Sequence, residues 1–192
     1  MSEPYAVRIL SEEVLSDFWS TTKKLRIAYT RRDGREEFLT REVNDHGHGA
    51  AVLALDPQRG TVLLVKQMRI AALVAGHHGP MLEACAGLLD GDDPMACALR
   101  EGEEELGYRL RNPRKICDAF ASPGALTERL TLFIADYSPD DRIGNGGGLQ
   151  GEGEDIEVIE LPLTDAYGMI ATGGVVDAKT VILLQAAMLE RM

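Results

Sequence analysis

Four glutamates lie within five positions of the segment REGEEELGY, residues 100–108. On an α-helix, Glu101 and Glu105 lie one turn apart on the same face, Glu104 borders that face, and Glu103 points elsewhere. Neighbouring carboxylates repel one another, so this pattern indicates either a solvated acidic surface or a site for a cation. Divalent Mg²⁺ or Mn²⁺ suits it, because these ions bind carboxylate oxygens and keep positions for substrate phosphate oxygens.

A glycine-containing loop, AGLLDGDD at residues 86–93, comes directly before this helix. Backbone groups can approach an anionic ligand closely at such a loop-to-helix junction. Asp92 or Asp93 is predicted to cap the helix, and Gly107 to end it. Gly102 costs about 1 kcal/mol relative to alanine inside a helix, which indicates that another group packs too closely for a side chain.

Strands are predicted on both sides of the acidic helix. Asp33 and Gly34 separate the two arms of a hairpin, and residues 56–60 join a second pair of apolar runs. The run AVLAL is apolar throughout, as in a strand covered on both faces. LTLFIADYS and DIEVIELPL predict two more strands around a Gly-rich acidic loop, and helices are predicted near 163–172 and 178–191. The expected result is one α/β/α layered domain.

Composition narrows the function classes. The 192-residue chain has a net charge of -11, which argues against non-specific nucleic-acid binding, since that requires a basic surface. No apolar run has the length of a membrane span, and the first residues do not resemble a signal peptide. We therefore expect no nucleic-acid or membrane partner and a cytoplasmic location.

The cysteines and histidines give no motif for a metal site. Three cysteines form no CxxC pattern and are expected to be reduced, mostly buried thiols. The four histidines form two short pairs, which we expect to be structural or exposed rather than metal ligands. These residues are Cys85, Cys97, Cys117, His46, His48, His77 and His78.

The segment GLLDGDDPMACALREGEEELGY, residues 87–108, resembles the Nudix box. That pattern is Gly, five residues, Glu, seven residues, Arg-Glu, an apolar residue, any residue, Glu-Glu, any residue, Gly and an apolar residue. Its second half is matched in register by Arg100, Glu101, Glu104, Glu105, Gly107 and Tyr108. The first half departs, since the loop is one residue short, Asp92 or Asp93 stands where Glu is usual, and Gly102 replaces an apolar residue.

Nearly the whole chain is similar to the nucleoside-diphosphate-sugar branch of the Nudix hydrolases. The resemblance implies an α/β fold, in which a Nudix α/β/α sandwich around a mixed sheet occupies residues 45–192. An N-terminal antiparallel β subdomain, residues 1–44, would be swapped between the chains of a homodimer. The implied reaction is metal-dependent pyrophosphate hydrolysis of a nucleotide sugar, with GDP-mannose preferred and giving GMP and mannose 1-phosphate. The alternatives are an ADP-ribose or ADP-sugar pyrophosphatase and a Nudix sensor that binds without hydrolysis.

The resemblance also implies roles for particular residues. Mg²⁺, or alternatively Mn²⁺, would be held by the backbone carbonyl of Ala86 and by Glu101, Glu105 and Glu154. Glu104 would help hold the ion or orient water. Glu154 would be the general base, with Glu152 and Asp155 as competing candidates in the same loop. Glu101, Glu104, Glu105 and Glu154 form the implied catalytic set.

Substrate contacts are implied for nine residues: Trp19, Arg41, Glu42, Arg69, Ala86, Gly87, Glu128, Gly153 and Lys179. Arg69 would clamp phosphate, since a guanidinium binds phosphate oxygens in a fixed geometry. Trp19 corresponds to an aromatic position near the base, although a single tryptophan is often a core residue. Arg41 and Glu42, on the second arm of the hairpin, would reach the site of the partner chain.

Overall fold

A computed structural model describes residues 5–149, 151 and 153–191 of the chain. The chain divides into two compact units: unit 1 is Met1–Gly47 with Phe120–Glu128, and unit 2 is His48–Ala119 with Arg129–Met192. The domain boundary predicted after residue 44 stays a prediction. Within the described residues, none of the helices combines the length and the apolar character that crossing a bilayer requires.

Unit 1 contains a three-stranded antiparallel sheet, in which β1 (Val7–Asp17) pairs with β2 (Thr21–Thr30) and β2 with β3 (Glu36–Asp45). The hairpin predicted at Asp33 and Gly34 is confirmed. Gly34 has a φ of 87°, in the left-handed region that favours glycine. The β1 strand was not singled out from the sequence, and every one of its side chains is exposed.

Unit 2 is built around a mixed sheet of seven strands in the order β10-β5-β4-β9-β8, with β6 beside β5 and β7 beside β4. The β4 and β9 strands are parallel, whereas the pairs that β4 forms with β5 and β7 are antiparallel. The strands are β4 (Gly49–Asp56), β5 (Thr61–Gln67), β6 (Met81–Glu83), β7 (Cys85–Leu88), β8 (Arg111–Phe120), β9 (Arg129–Asp136) and β10 (Glu157–Pro162).

Two apolar clusters occupy the two faces of this sheet. All of β4 is buried, as predicted for AVLAL, and its alternate side chains enter different clusters. Leu53 belongs to the cluster that includes Leu184, whereas Val52 belongs to the cluster that includes Ala98. The helices are α1 (Ile70–Val74), α2 (Pro94–Glu101), α3 (Leu163–Thr172) and α4 (Ala178–Leu189). The predicted α/β/α layering is confirmed, and α1, β6, β7 and β8 are additions to the predicted elements.

The acidic helix differs from the sequence-based expectation at one point. α2 begins after Asp93, whose carboxylate accepts hydrogen bonds from two backbone amides, and ends at Glu101. A wider π turn then covers Gly102–Leu106, so the prediction of a continuous α-helix is wrong there. A Cβ on Gly102 would lie 2.6 Å from Leu110 Cδ1. This contact confirms the close packing that we inferred from the glycine, and it depends on a residue beyond the helix.

Candidate active site

The four glutamates at residues 101–105 differ in how deeply their side chains are buried. Glu101 and Glu105 are buried, with 8% and 1% of their surface exposed, and Glu104 is partly buried. Glu103 is exposed and bonds to Arg109. The faces predicted from the sequence therefore hold, although the turn is wider than an α-helical one. π turns recur at functional sites in proteins.

Glu105 is the most deeply buried acid of the group. Its Oε2 accepts a hydrogen bond of 3.1 Å from the backbone amide of Ala86. Burial raises the pKa of Glu105 to about 7. Hydrogen bonds from the Cys85 thiol and the Ala86 amide oppose this rise, whereas the negative charges of Glu101 and Glu154 add to it. Glu105 is thus an acid whose charge is only partly compensated by its surroundings.

Glu101 lies against the glycine of the preceding loop. A Cβ on Gly87 would overlap the Glu101 carboxylate and would lie 2.8 Å from its Cγ. Only glycine leaves this space open, which explains its presence at the start of the 87–108 segment. The Glu101 carboxylate is 3.0 Å from Arg100 Nη1, and Glu104 lies 3.0 Å from the same nitrogen.

The Gly-rich loop contacts the π turn through backbone hydrogen bonds. The amides of Gly147 and Gly148 donate to the carbonyls of Glu105 and Glu104, at 2.9 and 3.2 Å. Glu154 is partly buried in this loop, and its Oε2 accepts a hydrogen bond of 2.9 Å from the Leu149 amide. Of the two competing candidates, Asp155 is exposed, and Glu152 lies outside the described residues.

The electrostatics of this region fit a cation. The charges of Glu101 and Glu154 both add to the raised pKa of Glu105, so the three carboxylates interact electrostatically. A divalent ion there would remove the repulsion that raises the pKa. Among the described residues, no group of three or more His, Cys, Asp or Glu is already arranged as a complete metal site. An ion would therefore have to draw these side chains together.

A second buried carboxylate, Glu83, organises two of the predicted substrate contacts. Arg69 Nε and Nη2 donate to its two oxygens at 2.8 and 3.1 Å, and Lys179 Nζ donates to Oε2 at 2.6 Å. Burial alone raises the pKa of Glu83, but the hydrogen bonds and charges of Arg69 and Lys179 outweigh it and hold the pKa below its usual value. Arg69 and Lys179 therefore both bond to the Glu83 carboxylate.

Within unit 1, the predicted residues Trp19 and Glu128 both neighbour His46. The Trp19 and His46 rings stack with centroids 5.0 Å apart and an interplanar angle of 21°. Trp19 is 69% exposed, so the alternative of a core tryptophan is wrong. Glu128 lies 3.9 Å from His46 Nε2, and the buried His46 Nδ1 has no partner among the described residues.

The remaining predicted contacts are exposed. Arg41 and Glu42 lie on β3, and Arg41 donates to the Thr40 carbonyl at 2.8 Å. Gly153 has a φ of 74°, and a Cβ there would meet nothing within 4 Å. Their roles as substrate contacts stay predictions, as do those of the other assigned site residues.

Neither Glu83 nor His46 was predicted from the sequence as a functional residue. The available signal for Glu83 was one acid in the otherwise small and apolar run LEACAG, a pattern typical of a buried ion pair. His46 was treated only as one member of a histidine pair. The Nδ1 atom of the other member, His48, accepts a hydrogen bond from the Arg129 amide at 3.2 Å. The cysteine prediction is confirmed, since all three are free, two of them buried.

Comparison with known families covers almost the whole chain. Residues 6–43 match the family described as the GDP-mannose pyrophosphatase NudK N-terminal domain, and residues 45–184 match the NUDIX domain. A GDP-mannose pyrophosphatase of Citrobacter koseri is 44% identical over 179 residues, covering 93% of each chain. Enzymes of the same name from Klebsiella pneumoniae and Escherichia coli are 43% and 42% identical, over 93% of this chain and 90% and 93% of theirs.

Proposed function

The chain belongs to the NUDIX family, and we propose that it hydrolyses the pyrophosphate bond of a nucleoside diphosphate sugar with the help of divalent metal ions. GDP-mannose is the preferred substrate, and GMP and mannose 1-phosphate are the products. The observation that carries this proposal is the buried acid pair Glu101 and Glu105 in the register of the Nudix box, with the charge of Glu154 acting on Glu105.

The acid pair supports a metal-binding role. Glu101, Glu105, Glu154 and the backbone carbonyl of Ala86 would hold Mg²⁺ or Mn²⁺. Such an ion, when bound, neutralises the diphosphate and lowers the pKa of a coordinated water. The Ala86 amide holds one oxygen of Glu105, and the ion would draw the other ligands towards it.

The loop acid Glu154 is proposed as the general base. Its carboxylate is fixed by the Leu149 amide at 2.9 Å and lies near enough to Glu105 to raise the pKa of that residue. From this loop the Glu154 carboxylate would accept the proton of the water molecule that attacks phosphorus. Glu104, held by Arg100, would orient that water.

On the substrate side, Arg69 and Lys179 are proposed to bind the phosphate oxygens. The Arg69 side chain is 43% exposed and bonds to Glu83 through Nε and Nη2, so its remaining nitrogen, Nη1, can donate to a phosphate. The exposed Trp19 ring would stack on the nucleotide base, with Glu128 as a hydrogen-bond acceptor. Arg41 and Glu42 are proposed to contact substrate in the site of the partner chain, and Ala86, Gly87 and Gly153 through their backbone.

We also propose a homodimer that exchanges the N-terminal β subdomain. The support is the apolar surface of β1, where Val7, Ile9 and Val14 are each more than half exposed. Apolar side chains in such number along one strand are typical of a protein interface. Gel filtration with light scattering should give twice the mass of 20.9 kDa, and an active monomer would rule out the exchange.

The cellular setting is proposed from chemistry alone. Three free thiols are typical of a reducing compartment, which favours the cytoplasm. The net charge of -11 disfavours a nucleic-acid partner and favours a small-molecule substrate whose charge is met by metal ions and a few placed cations.

A substrate panel tests the function directly. Purified protein with Mg²⁺ should release GMP and mannose 1-phosphate from GDP-mannose, detected by mass spectrometry, and EDTA should abolish the release. ADP-ribose and other ADP-sugars in the same panel test the alternative specificity, since a higher kcat/KM for one of them would replace GDP-mannose. Tight binding of GDP-mannose without any product would identify a sensor and overturn the hydrolase.

A further inference from the structure

We propose that Glu83 is a positioning residue whose buried carboxylate holds Arg69 and Lys179 together as a two-cation clamp for the phosphate oxygens of the substrate. The inference rests on the function proposed above and adds a determinant of substrate binding. Glu83 itself would not touch the substrate. Its effect would be transmitted through the two cations.

The hydrogen-bond pattern defines the clamp. Arg69 uses Nε and Nη2, one edge of its guanidinium, for the two oxygens of Glu83. Lys179 Nζ bonds to Oε2, the oxygen that also accepts from Arg69 Nη2. Two side chains from distant parts of the sequence therefore converge on a single oxygen atom. This fixes the separation of their charges, as recognition of a diphosphate requires.

The chain around Glu83 is held at several points. The Ala84 amide donates to Thr180 Oγ1 at 2.7 Å, and Thr180 is fully buried. Asp177 caps α4 by accepting from the Thr180 amide at 3.0 Å, and it also lies 3.1 Å from Lys179 Nζ. The residue after β6 and the start of α4 are thus joined by hydrogen bonds, which restrict the position of Lys179.

The exposure of Arg69 distinguishes a phosphate clamp from an ion pair with a purely structural role. Two cations bond to Glu83, and Lys179 is shared with the Asp177 carboxylate. The Glu83 side chain is 3% exposed, whereas that of Arg69 is 43% exposed and can meet a ligand. Burial lowers the pKa of Arg69. The hydrogen bond and the charge of Glu83 raise this pKa, and the charge of Glu105 raises it further. The guanidinium therefore lies within electrostatic range of the proposed metal site.

Kinetics of Glu83→Gln test the inference, with Glu83→Asp as the conservative variant. The amide keeps the shape but removes the charge that fixes both cations, so KM for GDP-mannose should rise about tenfold, the equivalent of one lost charge-assisted hydrogen bond. Because the clamp binds ground state and transition state alike, kcat should stay within about threefold of wild type. Glu83→Asp should show a smaller rise in KM.

The matched control is Asp56→Asn. Asp56 is another buried carboxylate, 2% exposed, and it bonds to Arg59 at the opposite end of β5. This change should lower the melting temperature and leave KM unchanged. An unchanged KM in folded Glu83→Gln, or a fall in kcat alone, would overturn the positioning role. If Glu83→Gln does not fold, the same criteria apply to Glu83→Asp.

Calorimetric titration with inorganic pyrophosphate and Mg²⁺ separates the two proposals, because it requires no turnover. Wild type should bind pyrophosphate, and Glu83→Gln should bind it about tenfold more weakly. Failure of wild type to cleave any nucleotide sugar would refute the proposed function, and the titration would still decide on the clamp. Equal affinity of the two proteins would refute the clamp even if wild type is an active enzyme.

Discussion

Two of the buried glutamates of unit 2, Glu83 and Glu105, have opposite electrostatic surroundings. Glu83 and Glu105 are 2% and 1% exposed, so both pay a similar desolvation penalty. The pKa of Glu83 nevertheless lies below its usual value, whereas burial raises that of Glu105 to about 7. The difference comes from the partners. Two cationic side chains bond to Glu83, while Glu105 receives a backbone amide and a thiol and faces two further acids.

The two roles therefore do not follow from burial. They follow from how far the surrounding chain neutralises the negative charge of each carboxylate. The protein itself supplies the positive charge for Glu83, which makes that residue an internal anchor. It does not supply enough for Glu105, and a divalent ion is the natural source of the remainder. The contrast predicts that the two glutamates respond in opposite ways to pH, to metal ions and to replacement by glutamine.

The largest expected effect is on catalysis by Glu105→Gln. The glutamine keeps the size of the side chain but removes a charged metal ligand, so kcat for GDP-mannose should fall at least about 100-fold. The circular dichroism spectrum should match that of wild type. A kcat within a few-fold of wild type would mean that Glu105 is not a ligand and would break the contrast with Glu83.

The pH dependence of stability is the next largest effect. Because the folded-state pKa of Glu105 is raised from 4.5 to about 7, the native state holds a proton that the unfolded state has lost. Its contribution to the free energy of unfolding is complete below pH 4.5 and is lost as pH rises through 7, by up to about 3 kcal/mol. Metal-free wild type should thus lose stability relative to Glu105→Gln between pH 5 and 8, measured by urea unfolding. A constant difference across this range would contradict the raised pKa.

Gly87→Ala tests the space beside Glu101 without changing any charge. The added Cβ overlaps the Glu101 carboxylate and must displace it from the acid pair. Overpacking of this kind costs about 1–3 kcal/mol, and a displaced ligand should lower kcat/KM about tenfold or more. The same substitution at Gly151, where a Cβ would meet nothing within 4 Å, is the control and should have little effect on activity.

The smallest effect is expected for Asp93→Ala, which removes an acid with a purely local role. Asp93 accepts hydrogen bonds from the amides of Met95 and Ala96 at the start of α2. Its loss should lower the free energy of unfolding by about 1 kcal/mol. KM and kcat should be unchanged at temperatures where the variant is folded. A large loss of activity would show that the cap also positions the acid pair.

Local patterns predicted much of this fold. The hairpin turn at Gly34, the fully buried β4 strand and the cap at Asp93 each depend on residues close together in sequence. The π turn could not be predicted in this way, because it accompanies contact between Gly102 and Leu110, a residue beyond the helix. The acid pair could be predicted from local sequence, because Glu101 and Glu105 are only four residues apart.

The role of Glu83 could be recognised only from the tertiary structure. Lys179 is 96 residues away from it in sequence, and Arg69 is 14 residues away. Both cations could be assigned from a family resemblance, but the carboxylate that joins them has no local signature beyond an acid in an apolar strand. The stack of Trp19 on His46 is a further long-range contact of this kind.

The most direct test of the account is a crystal of the wild-type protein soaked in Mn²⁺, with anomalous diffraction data collected at a wavelength where manganese scatters strongly. The contrast between the two glutamates predicts an anomalous peak within coordination distance of Glu101 and Glu105 and none beside Glu83, whose charge is already compensated. A map with no peak at the acid pair, in crystals that also contain the nucleotide, would show that Glu101 and Glu105 do not bind a divalent ion.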